Sequence, residues 1–200
     1  MLAAGAIRKQ GDKNKSTPSF PLPYACGPAM PVAHPRKLSA CTLLVAAWIC
    51  WCVGCGQTGS SSQSQLLAGI DPQFVEQHGQ LYFVNDVNAG CQLATERGMP
   101  CLFFFTAEWC TFCHRMAETA FSDEQVGILG QNFICILVDA DRDTELCRYF
   151  AITGFPTVEF VSPQGHSLHR LVGQQSSSDL AAGMQAALGR FAWMSDSQLR

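Results

Sequence analysis

The tetrad Cys110-Thr111-Phe112-Cys113 sets two thiols three residues apart, a spacing that becomes chemically useful where a helix begins. A cysteine at a helix amino terminus faces unpaired backbone N–H groups and the positive end of the helix dipole, and both favour thiolate over thiol. Cysteines so placed can ionise well below the ordinary value of about 8.5. The second sulfur then lies one turn deeper, close enough to close a disulfide ring on the first. Such a pair serves thiol–disulfide exchange: Cys110, expected to be exposed, attacks a partner disulfide, and Cys113, expected to be shielded, resolves the mixed disulfide. With His114 the run also reads CxxCH, the attachment signature of c-type haem. That rival needs a distal ligand and a large apolar pocket, for which Met116 is too close in sequence. A structural zinc would need about four ligands, and no second cluster has suitable spacing, so neither a metal nor a cofactor beyond the dithiol is expected. Glu108 and His114 flank the pair as modulating residues, and Trp109 reads as part packing, part rim toward partners.

The flanking pattern supplies the strand and helix that would position these thiols. CLFFFT at 101–106 is a continuous apolar run, as in a strand covered on both faces. After Trp109 a helix puts Cys113, Met116, Ala117 and Ala120 on one side. LYFV at 81–84 reads as an earlier strand, and a helix from Asp86 shares a face among Val87, Cys91 and Ala94 before Gly98 ends it. Ser122 and Gln125 form a capping-box pattern for a short helix stopping near Gly130. FICILV at 133–138 is a further buried strand, and Asp143 to Phe150 a short helix. TVEFV at 157–161 and SLHRLV at 167–172 flank the turn signal Ser162-Pro163-Gln164-Gly165 and form a hairpin. Ser178 is expected to cap a last helix burying Leu180, Met184 and Leu188. The order β-α-β-α-(α)-β-α-β-β-α defines an α/β class.

Of 200 residues, 48% are hydrophobic, 14% are charged and eleven are Cys, a balance that suits one globular domain and excludes a disordered polyelectrolyte. Residues 1–55 carry a net +5, whereas residues 56–200 carry -8 and no Lys. An acidic main part argues against a nucleic-acid partner, which needs a clustered basic face. Residues 1–37 read as an irregular Pro/Lys-containing region. A start at Met30 would give a signal of ordinary length and make residues 1–29 an over-extended start. Residues 38–55 form a signal or lipoprotein segment, whose uncharged run of sixteen residues is short for a membrane span of roughly 20. Residues 56–68 read as a flexible linker, 69–192 as the domain and 193–200 as a tail. Six Cys remain beyond Cys55, and export would expose them to an oxidising compartment. Cys91, Cys101, Cys135 and Cys147 fall on apolar faces, where a free Cys behaves as a small hydrophobe. The acids Asp139, Asp141, Asp143 and Glu145 lack the Gly and final acid of a calcium loop and read as solvated.

AEWCTFC at 107–113, VDAD at 138–141, Gly154-Phe155-Pro156-Thr157 before the hairpin and Gly173 after it resemble the thioredoxin superfamily over roughly residues 80–190. Within it, TFCHRMAETAFSDEQV resembles exported thioredoxin-like domains such as the C-terminal domain of the DsbD disulfide reductases. The resemblance implies a thioredoxin fold, a central mixed sheet with helices on both faces and a C-terminal hairpin plus helix. It also implies that Pro156 is a cis proline beside the cysteines, with the Phe155 backbone free to pair with an extended substrate. Cys52-Val53-Gly54-Cys55 resembles a lipobox, which implies lipidation at Cys55, with Cys52 departing from the usual Leu. Thioredoxins usually carry a buried Asp where this chain has Phe104, and often a Lys where it has Cys135. The floor behind Cys113 is therefore expected to be dry, and an apolar floor disfavours thiol ionisation.

The reading is an exported protein-disulfide oxidoreductase, reductive in direction, anchored through an N-terminal lipid or signal segment at the periplasmic or extracytoplasmic face of a bacterial membrane. Its partners would be exported proteins with disulfides and a membrane electron donor. The alternative from another class is a non-catalytic binding module using the Phe155–Pro156 groove.

Overall fold

The apolar hexapeptide 101–106 takes an internal place in a six-stranded sheet, because both faces of that strand meet helices and no edge position could bury it. A computed structural model describes residues 62–198. The segment assigned to signal and lipidation, Cys55 included, lies outside the described residues.

The chain runs α1 (Ser62–Leu66), β1 (Val75–His78), β2 (Leu81–Val84), α2 (Val87–Arg97), β3 (Cys101–Thr106), α3 (Thr111–Glu118), α4 (Glu124–Gly130), β4 (Ile134–Asp139), α5 (Thr144–Tyr149), β5 (Thr157–Val161), β6 (Ser167–Val172) and α6 (Ser177–Gln198). Strand order is β1-β2-β4-β3-β5-β6. β2, β4 and β3 run parallel, while β1, β5 and β6 pair antiparallel to their neighbours. Alternation on β3 divides the core: Leu102 and Phe104 join α3, α4 and α6 on one face, and Cys101, Phe103 and Phe105 join α2 and α5 on the other.

Local chemistry sets the ends of these elements. The Asp86 carboxylate accepts the Ala89 N–H at 3.0 Å and starts α2, and Gly98 at φ +63° closes it in the left-handed conformation that residues with a Cβ resist. A side chain at Gly90 would sit 2.7 Å from Ile136 Cγ1, so α2 can lie this close to β4 only with glycine there.

Several expectations are corrected. Residues 62–66 are helical rather than part of a tether, since Gln63 is buried and its amide donates to Gly130 O and accepts from Tyr82 N–H, while Leu67 enters the core. β1 went unrecognised because its sequence, VEQH, carries a single apolar residue and sits at the sheet edge. Asp123, not Ser122, caps α4: its carboxylate accepts the Gln125 and Val126 N–H groups, and Ser122 lies in a 3-10 turn, with its hydroxyl donating to Glu118 O. Ala120 belongs to that turn rather than to α3. Ser176 rather than Ser178 meets the Asp179 N–H at the start of α6. α6 continues to Gln198 and so takes in most of the expected tail at 193–200.

Candidate functional site

β3 ends at Thr106, and the chain turns through Ala107, Glu108 and Trp109 before α3 begins. The Cys110 N–H donates to Ala107 O at 3.0 Å across that turn. Cys110 is the cap residue of α3, and its sulfur accepts the Cys113 N–H at 3.2 Å, one of the helix donors that would otherwise lack a partner. Cys110 and Cys113 are bonded as a disulfide, with Cα atoms 5.2 Å apart.

Both cysteines are buried, Cys110 at 5% exposure and Cys113 at 1%, which corrects the expectation of an open Cys110. In the ring form its side chain folds into the same cluster as Ala107, Met116 and Phe104 instead of projecting to solvent.

What projects is the rim. Trp109 is 65% exposed, its indole N–H donates to Asp141 Oδ2 at 3.1 Å, and its ring meets Phe155 edge-on at 5.8 Å. Phe112 is 57% exposed, with the Arg115 guanidinium over its ring. The Phe155–Pro156 peptide is cis, Pro156 is buried, and Phe155 packs against the cluster that holds both cysteines. Pro156 O accepts the Gly173 N–H at 2.8 Å, which ties the proline to the end of the hairpin. His114 is exposed on α3, and its Nε2 donates to Glu108 O at 2.7 Å, which braces the loop before the cysteines. The Glu108 residue itself is exposed.

In the cluster that holds the disulfide, the Phe104 ring lies tilted against Phe83 and edge-on to Phe121, with centroids at 5.9 and 4.9 Å. Cys135 shares this face, but the parallel register sets it beside Leu102, and Leu137 is the residue beside Phe104. Burial pushes the Cys135 thiol up to about 12, against a smaller opposing effect of the Gln63 amide that donates to its sulfur. Among the described residues, no group of three or more His, Cys, Asp or Glu is placed to hold a metal ion. The acids after β4 are not all idle. Asp141 holds Trp109, and partial burial raises the Asp143 carboxyl against the lowering effect of Arg142. Neither role was foreseen for this loop, and VDAD offers no periodic signal for a reach across to Trp109.

A mixed sheet between two helical layers, a disulfide capping the helix after its central strand and a cis proline before the hairpin together define the thioredoxin class of folds. A family model described as thioredoxin-like domain matches residues 87–188, and the chain belongs to that family. It is related to the thiol:disulfide interchange protein DsbD of Ralstonia nicotianae, 28% identical over 111 residues that make up 53% of this chain and 18% of that protein. The DsbD of Citrobacter koseri is 32% identical over 78 residues, 37% of this chain and 14% of that one. The chain thus spans less than a fifth of these relatives. Among solved structures, the oxidised C-terminal domain of Neisseria meningitidis DsbD is 22% identical, with a TM-score of 0.43, covering 50% of this chain and 94% of that one. A Thermus thermophilus thioredoxin is 25% identical, with a TM-score of 0.47, covering 50% and 82%.

Proposed function

We propose that this protein is a thiol–disulfide oxidoreductase that reduces disulfides in exported proteins through Cys110 and Cys113. The observation carrying the reading is the disulfide at the start of α3, with Cys110 as the cap and an exposed aromatic rim around it. In the reduced protein the Cys110 thiolate attacks one sulfur of a partner disulfide, and the other sulfur leaves as a thiolate and takes up a proton. Cys113 then gives up its proton, attacks the Cys110 sulfur and releases the second partner thiol. Two electrons pass to the partner, and the ring disulfide is left behind. A donor dithiol must return those electrons in each cycle, and the reading assigns this to a membrane electron donor.

Trp109 and Phe112 present exposed apolar surface, which suits a protein partner better than a small molecule. An extended segment of that partner would pair with the backbone at Phe155, beside Pro156. Export, anchoring by lipid at Cys55 and a place at the extracytoplasmic face belong to the same proposal, supported by the basic-then-apolar order of residues 36–55.

The test is reduction of insulin with dithiothreitol as donor, together with the equilibrium potential of the Cys110–Cys113 pair against glutathione. Turnover that disappears in Cys110→Ser, with a potential below that of the glutathione couple, supports a reductase. Insulin bound without turnover by the wild type would replace the enzyme with a binding module, and a potential well above glutathione would reverse the direction.

A further inference from the structure

On the face of the sheet away from Cys110 and Cys113, α2, α5 and the β5–β6 turn enclose a cleft of about 320 Å³. Two thiols line it. Cys91 comes from the middle of α2 and is half-buried, and Cys101 opens β3 and is 4% exposed. Both are free, both face this one cleft, and Cys91 packs against the buried cluster that contains Cys101. The remaining wall is mainly apolar, with Val87, Phe103, Leu146 and Phe150, and its polar members Thr95, Ser162 and Gln164 are uncharged, so no charged side chain lines the cleft.

We infer that Cys91 and Cys101 form a second dithiol couple, which a small uncharged disulfide entering this cleft oxidises to an intramolecular disulfide joining α2 to β3. The Cys101 side chain favours the Cys91 thiolate and lowers its pKa, while the same interaction and deep burial keep Cys101 a thiol. Cys91 is also the more exposed of the two, so it is the attacking sulfur and Cys101, at 4% exposure, the resolving one. Cys91 loses its proton and bonds to one sulfur of R–S–S–R, whose S–S bond breaks to release RSH. Cys101 then loses its proton and bonds to the Cys91 sulfur, which breaks the mixed disulfide and releases a second RSH. The protein gives two electrons and two protons, and one disulfide becomes two thiols. The sheet separates this couple from Cys110–Cys113, so it works without that pair and does not rest on the function proposed above.

The experiment uses the full chain carrying Cys110→Ser and Cys113→Ser, treated with either neutral bis(2-hydroxyethyl) disulfide or dianionic 3,3′-dithiodipropionate and mapped by peptide mass. The expected result is a Cys91–Cys101 linked peptide that forms at least tenfold faster with the neutral reagent, since an uncharged wall offers the dianion no partner. Adding Cys101→Ser should stop the reaction at a mixed disulfide on Cys91, and adding Cys91→Ser should leave Cys101 unmodified. Separate alkylation of Cys91 and Cys101 after treatment, while Cys147 has reacted, would overturn the inference. Equal rates for the two reagents would also overturn it, as would linkage of either cysteine to a different partner. Insulin turnover by the wild-type chain reports on Cys110 and Cys113 alone, so failure of one proposal is distinguishable from failure of the other.

Discussion

Replacing Cys135 by Ala should weaken the protein near neutral pH yet make it the more stable form in alkali. Cys135 is fully buried among Phe83, Phe104 and Leu102, and burial raises its thiol from 9.0 to about 12. Below pH 9 the thiol is protonated in both the folded and the unfolded chain. Between about 9 and 12 the unfolded chain releases the proton while the folded protein keeps it, so the folded state binds more protons and stability falls as pH rises. At about 1.4 kcal/mol per pH unit, the loss reaches about 1.4 kcal/mol at pH 10 and about 2 kcal/mol at pH 10.5. Removing the sulfur costs about 1 to 2 kcal/mol of packing at any pH. The two stability curves should therefore cross near pH 10. Urea unfolding from neutral pH to pH 10.5, under argon and in the Cys110→Ser, Cys113→Ser background, measures the difference, and the Cys101 thiol, present in both proteins, cancels. A difference that stays constant across that range would refute the argument that this side of the sheet is dry.

Two further outcomes follow from named contacts. Glu159 is fully buried on β5 and bonded to Arg170 and Ser167, so Arg170→Ala strands a buried carboxylate and should cost about 3 kcal/mol in urea unfolding; a cost below about 1 kcal/mol would show the pair to be dispensable. Asp141→Ala releases the Trp109 indole from a hydrogen bond worth about 1 kcal/mol, so KM for insulin should rise about fivefold with a smaller change in kcat, and an unchanged KM would remove Asp141 from the account.

The parts of this architecture legible in the sequence are those whose cause is local. CLFFFT is apolar on both faces, and 101–106 is an internal strand. Gly98 supplies the left-handed cap that ends α2, and the spacing of Cys110 and Cys113 falls where β3 hands over to α3. Contacts set by distant parts of the chain escaped. α1 contains no apolar period, and what orders it is Gln63 reaching Gly130 and Tyr82. β1 borrows its conformation from β2, and the cap of α4 falls to Asp123 because the neighbouring Ser122 hydroxyl turns back to Glu118 O. At the site, the burial of Cys110 depends on the closed disulfide ring, and the hold of Asp141 on Trp109 spans two loops 32 residues apart. Neither relation leaves a mark in spacing. The meeting of Cys91 with Cys101 is of the same kind, since each reads alone as a small core residue.

The most direct measurement of the central claim is capture of a partner on Cys113→Ser. With the resolving sulfur gone, reduced protein mixed with an oxidised substrate protein should accumulate a mixed disulfide that dithiothreitol cleaves and peptide mass assigns to Cys110, while Cys110→Ser accumulates none. An adduct formed equally by both variants, or assigned to another cysteine, would contradict Cys110 as the attacking sulfur.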